Sequence, residues 1–386
     1  MAVPGRHSRL RRRGCHSVGV PEIAGVGEAY TVDGQVDSYR SGNLVVTVSG
    51  GGFKRQVAVD RYGMVWNSIR TRALSITRAV GLTFFVNDAR TGVALMAVAA
   101  ASSLFAGVLG VIGAILAEAV GRTLSASKIL NEGSLIPLNG YFAAMAVGAF
   151  FPPGVVTTAL AIAAAALAAV LTIVLHRMLA IWGLSVLVMP YVMAFSAIWL
   201  SCPQTSWCEA SPSPLPDVAW PETFEEMVIF AGKAWGAGLA ELVFSRSPWI
   251  GLGVLVALAL FDWRAAGLAA LGAACGTLTA IGLGLPASLI SIGLYGFGSA
   301  LTALALRRGT MRCGWLATVV AASATAVATA VLGSLGTALG LLPLAAPYVA
   351  VVWVCTLAQP VQVSEAGEVT PPTQTVTKLR RMQRNF

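Results

Sequence analysis

The sequence predicts an all-α polytopic membrane protein with two inverted five-helix repeats, and three observations lead to this fold class. The first is composition: 56% of residues are hydrophobic, 11% are charged and the mean hydropathy is +0.75, whereas about 25% of residues are charged in soluble domains. The second is length, because apolar runs at about residues 91 to 200 and 226 to 360 far exceed the roughly 20 residues that cross a bilayer. The third is internal repetition.

Three segments recur between the two apolar runs at a nearly constant separation. GLTFFVNDARTG resembles LAELVFSRSPWIG, LNGYFAAM resembles LYGFGSAL, and MPYV resembles APYV. The alignment pairs Leu82 with Glu241, Phe85 with Phe244, Gly140 with Gly296, Tyr141 with Phe297, and Met189 with Ala346, so that the three segments are 159, 156 and 157 residues apart. Three chance matches would not have nearly the same separation in the same order, and the sequence therefore predicts a duplicated fold.

The distribution of charge predicts how the repeats are oriented. The formal net charge is +9, and most of the basic residues lie in the two tails, whereas the connector at residues 201 to 226 has no Lys or Arg. By the positive-inside rule, both termini are then cytoplasmic and the connector is extracytoplasmic. Each repeat must cross the membrane an odd number of times, which inverts the second repeat relative to the first. Cys202 and Cys208 could close a small disulfide in such a connector.

We expect five regions along the chain in a protein of the cell (plasma) membrane. They are a basic N-terminal cytoplasmic extension at 1–75, a first membrane repeat at 76–200, an extracytoplasmic linker at 201–226, a second membrane repeat at 227–360 and a basic cytoplasmic tail at 361–386. Apolar and polar residues alternate around a Gly-rich turn near 43–66, as in a β-hairpin. The extension is either a small interaction module or a partly disordered tail.

The sequence motifs argue against several classes of function. There is no HExxH, GxSxG or P-loop motif and no Cys/His cluster, so we expect no enzyme activity, no cofactor and no metal site. The basic tails lack the interleaved aromatic residues typical of nucleic-acid binding. The expected partners are the lipid bilayer and a small solute.

Matched interruptions in the apolar runs indicate where a solute could pass. Gly, Pro and Asn interrupt both repeats at Asn87 to Gly92 and Arg246 to Gly251. Broken half-helices at corresponding positions of inverted repeats predict a central pore near the membrane midplane. The alternative is that the glycines only allow close helix contacts.

Glu241 is the ionisable residue best placed to line such a pore. It lies inside a half-length apolar segment, where a charge is costly unless it faces a partner or a water-filled cavity. The alternative is a structural hydrogen bond to a neighbouring helix end. Asp88, Glu118 and Glu132 lie near the ends of predicted passes, where interfacial solvation explains them. Two aromatic pairs, Phe85 with Phe244 and Tyr141 with Phe297, either pack in the core or form the walls of a slot for a flat neutral molecule.

The same segments resemble the urea transporter family, in a divergent bacterial-type form. The resemblance runs in order over about residues 76 to 360 and depends on RAVGLTFFVNDARTG from Arg78, GLAELVFSRSPWIG from Gly238, GLYGFGS from Gly293, and the VMPYV and AAPYV segments. It implies a channel-like protein that usually forms a homotrimer, with a separate pore in each protomer for single-file passage of urea.

The resemblance also implies candidate pore residues. By position, the slot would comprise Phe85, Tyr141, Met145, Phe297 and Leu301, with Phe244 near it, and Glu241 and Leu82 would form the polar gate. The chain departs from the family where it has Leu82 instead of Gln and where Val188 and Ala345 replace the midpore threonines. Asp88-Ala89 and Ser247-Pro248 replace Asn-Pro, and the Asn of GLYGFN aligns with Phe142 or Gly298.

Three functional hypotheses remain open at this point. The leading one is channel-like passive transport of urea or a similar small neutral amide. The second is a channel of the same fold for a less polar small solute. The third is a non-conducting membrane scaffold.

Overall fold

The computed structural model describes residues 34–40, 43–50, 53–124, 135–202, 215–309 and 313–358. Two compact units divide the chain, Met1–Ser68 and Ile69–Phe386. The predicted cytoplasmic tail at 361–386 lies outside the described residues, as do Cys208 and Glu132. Cys202 is described and is disulfide-bonded.

The first unit contains a three-stranded antiparallel sheet in the order β1-β2-β3. Its strands are β1 Gly34–Arg40, β2 Asn43–Gly50 and β3 Phe53–Asp60. Strands β2 and β3 pair from Asn43 with Asp60 to Gly50 with Phe53. Both strands fall in the range expected for a hairpin, but the last part of that range, residues 61 to 66, begins the first helix.

Thirteen α-helices follow in the described residues. They are α1 Arg61–Leu82, α2 Ala89–Ser102, α3 Leu104–Thr123, α4 Leu135–Phe150, α5 Val155–Leu179, α6 Met189–Ser201, α7 Phe224–Ala240, α8 Pro248–Phe261, α9 Trp263–Gly282, α10 Ala287–Ser291, α11 Leu294–Arg308, α12 Trp315–Ala338 and α13 Ala346–Leu357.

Several of these helices are suited to a bilayer. Helices α3, α9 and α12, and the segment Val155–Trp182 that contains α5, are long and apolar enough to cross a membrane. Helix α7 with its following turn forms a bent pair with α8, at an angle of 68°. The shorter apolar helices are α2, α4, α6 and α13. The described part of the second unit is therefore an all-α polytopic membrane domain with broken helices, as the sequence predicts.

The two repeats contain equivalent elements. Helices α2 and α8 both have 14 residues, and α3 and α9 both have 20. The side chains of Ser103 and Asp262, which are 159 residues apart, each accept a hydrogen bond from a backbone N–H in the first turn of the helix that they cap. Such N-caps satisfy donors that have no partner within the helix. Equivalent helices therefore begin at equivalent residues.

The same unusual backbone conformation also recurs in both repeats. Phe85 and Phe244 have φ values of 55° and 53°, and Leu187 and Leu344 have values of 50° and 39°. Positive φ is uncommon for residues other than glycine. The two breaks that end α1 and α7, and the two that precede α6 and α13, are therefore true counterparts.

Helices α2 and α8 pack against each other in an antiparallel orientation. The Arg90 guanidinium, near the start of α2, lies 5.5 Å from the ring centroid of Phe261 at the end of α8. Further along α2, Val98 faces Gly253 in the first half of α8, where an added Cβ would lie 3.5 Å from the Val98 Cγ1. Because α2 and α8 are equivalent elements, their opposite directions confirm that the second repeat is inverted relative to the first.

Close helix packing corrects one part of the sequence alignment. A Cβ on Gly113 of α3 would lie 2.5 Å from both the Gly140 carbonyl oxygen and the Ala144 Cβ. A Cβ on the equivalent Gly272 of α9 would lie 2.5 Å from the Ser299 carbonyl oxygen and 2.8 Å from the Ala303 Cβ. Helices α4 and α11 therefore correspond at a separation of 159 residues, and the predicted separation of 156 was wrong by three.

Candidate functional site

A narrow cavity lies where the broken helices of the two repeats meet. It has room for only about one water molecule. The lining residues are Thr83, Phe142, Val188, Tyr191, Glu241, Leu242, Phe244, Phe297 and Leu301. They come from both repeats, so neither repeat forms the cavity alone.

Five predicted pore residues and four further residues meet in this cavity. The predicted ones are Val188, Glu241, Phe244, Phe297 and Leu301; the others are Thr83, Phe142, Tyr191 and Leu242. At the separation of 159 residues, Thr83 is equivalent to Leu242, and the corrected alignment of α4 with α11 makes Phe142 equivalent to Leu301. The repeated PYV segment was a sequence signal for Tyr191, whereas each of the other three lies beside a predicted residue.

Glu241 occupies the turn that ends α7. This helix begins with a capping box formed by Thr223 and Glu226, which satisfies backbone donors at its first turn. It ends in a 3₁₀ turn at Glu241–Val243, and Phe244 then takes the left-handed conformation. In the described part of the chain, the Glu241 carboxylate has no hydrogen-bond partner, and Arg246 interacts with it electrostatically. A carboxylate thus lines an otherwise mostly apolar cavity.

Aromatic rings form one wall of the cavity around Phe244. Its ring centroid lies 6.2 Å from Phe142, 6.4 Å from Tyr191 and 6.2 Å from Phe150, each in an edge-on arrangement. Phe142 and Tyr191 are 5.6 Å apart. Edge-on aromatic pairs stabilise a fixed geometry beyond the area that they bury. The rings therefore hold one another in place beside the cavity.

A fully buried amide, Asn139, positions the break that precedes α6. Its Nδ2 donates to the carbonyl oxygens of Leu135 at 2.9 Å and Leu187 at 3.1 Å, and its Oδ1 accepts from the backbone N–H of Tyr191 at 3.2 Å. Asn139 is equivalent to Gly298, so it, and not Phe142, holds the position of the Asn of GLYGFN in the first repeat. The sequence analysis did not give it a role, although a polar residue in an apolar run was a signal.

A family model described as urea transporter matches residues 73–360. The chain belongs to the urea transporter family. None of the curated proteins compared with it gives a match. Members of this family are transporters, not enzymes, and the described helices agree with a multi-pass membrane protein.

Five residues that were predicted to line a pore do not border this cavity. Tyr141 and Met145 are buried in the core, each 1% exposed, and the Tyr141 ring packs on Gly110 of α3. Phe85 lies near Gly309 instead, where an added Cβ would be 3.3 Å from the Phe85 Cε1, and Leu82 ends α1. Ala345 is buried directly before α13.

The other two acidic candidates that the structure describes, Asp88 and Glu118, have structural partners. Asp88 caps α2 and pairs with Arg90, and Glu118 pairs with Arg122 one turn later in α3. Among the described residues, no group of three or more His, Cys, Asp or Glu side chains is placed to hold a metal ion. The cavity can therefore offer solutes hydrogen bonds and flat apolar surfaces, without a metal centre in the described part of the chain.

Proposed function

We propose that this member of the family conducts urea, or a similar small neutral amide, passively through the cavity in the manner of a channel. One observation carries the proposal: the backbone breaks of both repeats meet at a narrow cavity that has aromatic walls and a carboxylate. Broken helices at the interface of inverted repeats are where transporters bind their solutes. The rings of Phe142, Phe244 and Phe297 would contact the faces of a flat solute, and Glu241 would accept its amide hydrogens.

The proposed assembly and orientation follow from the family and from the ends of the helices. The protein would form a homotrimer in the plasma membrane, with one pore in each protomer. Arg122, Arg177 and Arg308 lie in the last turns of α3, α5 and α11, where they suit a cytoplasmic surface. The disulfide-bonded Cys202 at the start of the connector supports an extracytoplasmic connector, because disulfides persist in oxidising compartments.

A less polar solute is the second candidate. Among the nine lining residues, only Thr83, Tyr191 and Glu241 have polar side chains. Val188 lines the cavity where the family resemblance implies a threonine. These features favour a solute with fewer hydrogen-bonding groups than urea, such as a methylated amide.

Stopped-flow measurement of solute uptake by proteoliposomes tests the proposal. We expect wild-type urea flux above that of empty vesicles and a fall of about tenfold in Glu241→Ala, because an unmet amide hydrogen costs about 1–3 kcal/mol. Glu241→Gln retains an acceptor oxygen, so its urea flux should fall less than that of Glu241→Ala. The matched control is Glu225→Ala, which makes the same change at an exposed residue in the first turn of α7.

The outcomes separate the three hypotheses. Urea flux equal to that of empty vesicles, together with transport of N,N′-dimethylurea, would favour the less polar solute. Absence of flux for both solutes would leave the non-conducting membrane scaffold as the remaining hypothesis. Equal urea flux in wild type and Glu241→Ala would remove Glu241 from the mechanism.

A further inference from the structure

We propose that Thr83 is the polar solute-binding group of the first repeat, acting with Glu241 of the second. This inference rests on the proposed function, because it assigns a residue to the same pathway. The family resemblance implies a polar side chain at the position of Leu82, and Leu82 does not line the cavity. The neighbouring residue, Thr83, lines it together with Glu241.

The Thr83 hydroxyl is buried without a hydrogen bond. Thr83 is 7% exposed, and its Oγ1 has no partner among the described residues. Most buried polar side-chain atoms in proteins are paired, and an unpaired one costs about 1–3 kcal/mol. A solute in the cavity would supply the missing partner.

Comparison of the two repeats shows an exchange of polar and apolar positions. Leu82 and Thr83 correspond to Glu241 and Leu242, at the same break and before the same left-handed residue, Phe85 or Phe244. Thr83 and Leu242 both line the cavity. Each repeat therefore provides one polar and one apolar side chain at its break, but in the opposite order.

The two polar groups are chemically complementary for an amide. A hydroxyl can donate as well as accept a hydrogen bond, whereas an ionised carboxylate only accepts. Urea has a carbonyl oxygen that needs a donor and N–H groups that need acceptors. Thr83 would donate to the carbonyl oxygen while Glu241 accepts from an N–H group.

Thr91 provides a matched control. Its hydroxyl is also buried without a partner in the described residues, at 0% exposure, but Thr91 lies in α2 and does not line the cavity. Threonine to valine keeps the shape of the side chain and removes only the hydroxyl. Because neither hydroxyl has a partner, neither substitution should destabilise the fold.

The test measures urea flux and thermal unfolding of the full chain for wild type, Thr83→Val, Thr83→Ser and Thr91→Val. We expect Thr83→Val to lower urea flux about fivefold to tenfold, the effect of one lost hydrogen bond to a solute, with an unchanged or higher Tm. Thr83→Ser keeps the hydroxyl and should keep the flux. Thr91→Val should match wild type in flux.

The inference and the proposed function fail in different ways. Wild-type urea flux that Thr83→Val leaves unchanged would overturn the inference alone. If Thr83→Val lowers the Tm as well as the flux, or if Thr91→Val lowers the flux by the same factor, the role of Thr83 is structural. Either result would also overturn the inference. Wild-type vesicles that transport no urea would overturn both.

Discussion

Phe142 and Leu301 occupy equivalent positions in α4 and α11 and line the same cavity from the two repeats. Phe142 also contacts Phe244 and Tyr191, so the aromatic wall continues into the first repeat. At this pair of equivalent positions, the first repeat therefore provides the Phe142 ring and the second repeat provides the smaller Leu301 side chain.

Replacement of Phe142 by leucine, the residue of its counterpart, should widen the cavity. We expect the ratio of N-methylurea flux to urea flux to rise by about tenfold, since a change of pocket size on this scale alters discrimination by about 1–3 kcal/mol. Stopped-flow flux of the two solutes measures the ratio. Phe151→Leu is the control, because Phe151 is buried in the neighbouring aromatic cluster but does not border the cavity. An unchanged ratio in Phe142→Leu would show that this ring does not limit passage.

Asn139→Ala should destabilise the protein and reduce flux together. The substitution leaves the Leu187 carbonyl and the Tyr191 N–H without their buried partner, at a cost of about 2 kcal/mol or more. Flux should fall because Val188 and Tyr191, which follow the break, both line the cavity. Thermal unfolding in detergent and urea uptake measure the two effects. Asn87→Ala, at an exposed position, should change neither, and a wild-type Tm for Asn139→Ala would contradict the role of Asn139.

Much of the fold could be predicted from composition and from the repeated segments, because a bilayer requires long apolar helices and a duplication leaves matched sequences. Glu241, Phe244 and Leu301 line one cavity, and their role in a pore stays a prediction. The error concerned the alignment of α4 with α11. A shift of three residues is close to one helical turn of 3.6 residues, so the hydrophobic pattern hardly changes. Only the contacts of Gly113 and Gly272 decide between the alternatives.

Gly251→Ala should disrupt the bent pair formed by α7 and α8. A Cβ on Gly251 would overlap the backbone carbonyl of Gly236, which no side-chain movement relieves. We expect a loss of about 3 kcal/mol or more, at the upper end of overpacking effects, seen as a lower Tm in detergent. Gly267→Ala in α9 is the control, because its Cβ would meet nothing within 4 Å. Alanine at that position should be neutral or stabilising, and equal Tm values for the two variants would refute the proposed clash.

Asp262→Ala should lower the free energy of unfolding more than Asp88→Ala does. Asp262 caps α9 through the Ala265 N–H at 3.0 Å and forms a partly buried ion pair with Arg308 of α11. Asp88 also caps its helix, but its partner Arg90 has a 77% exposed side chain, and exposed pairs contribute about 0–1 kcal/mol. We expect Asp262→Ala to lower stability by about 2 kcal/mol, from the cap and the pair together. Unfolding of both alanine variants in detergent compares the losses, and an equal loss would mean that the Arg308 pair contributes nothing.

The antiparallel packing of α2 and α8 bears on the direction in which solutes can flow across the membrane. Inverted repeats present nearly the same backbone to solutes that arrive from either side of the membrane, so only side-chain differences such as Glu241 against Leu82 distinguish the two entrances. In a passive pathway, those differences can alter how quickly molecules enter and leave, but microscopic reversibility requires the inward and outward fluxes to balance at equal concentrations. A cell that uses such a protein would set the direction of net flow by producing or consuming the solute on one side.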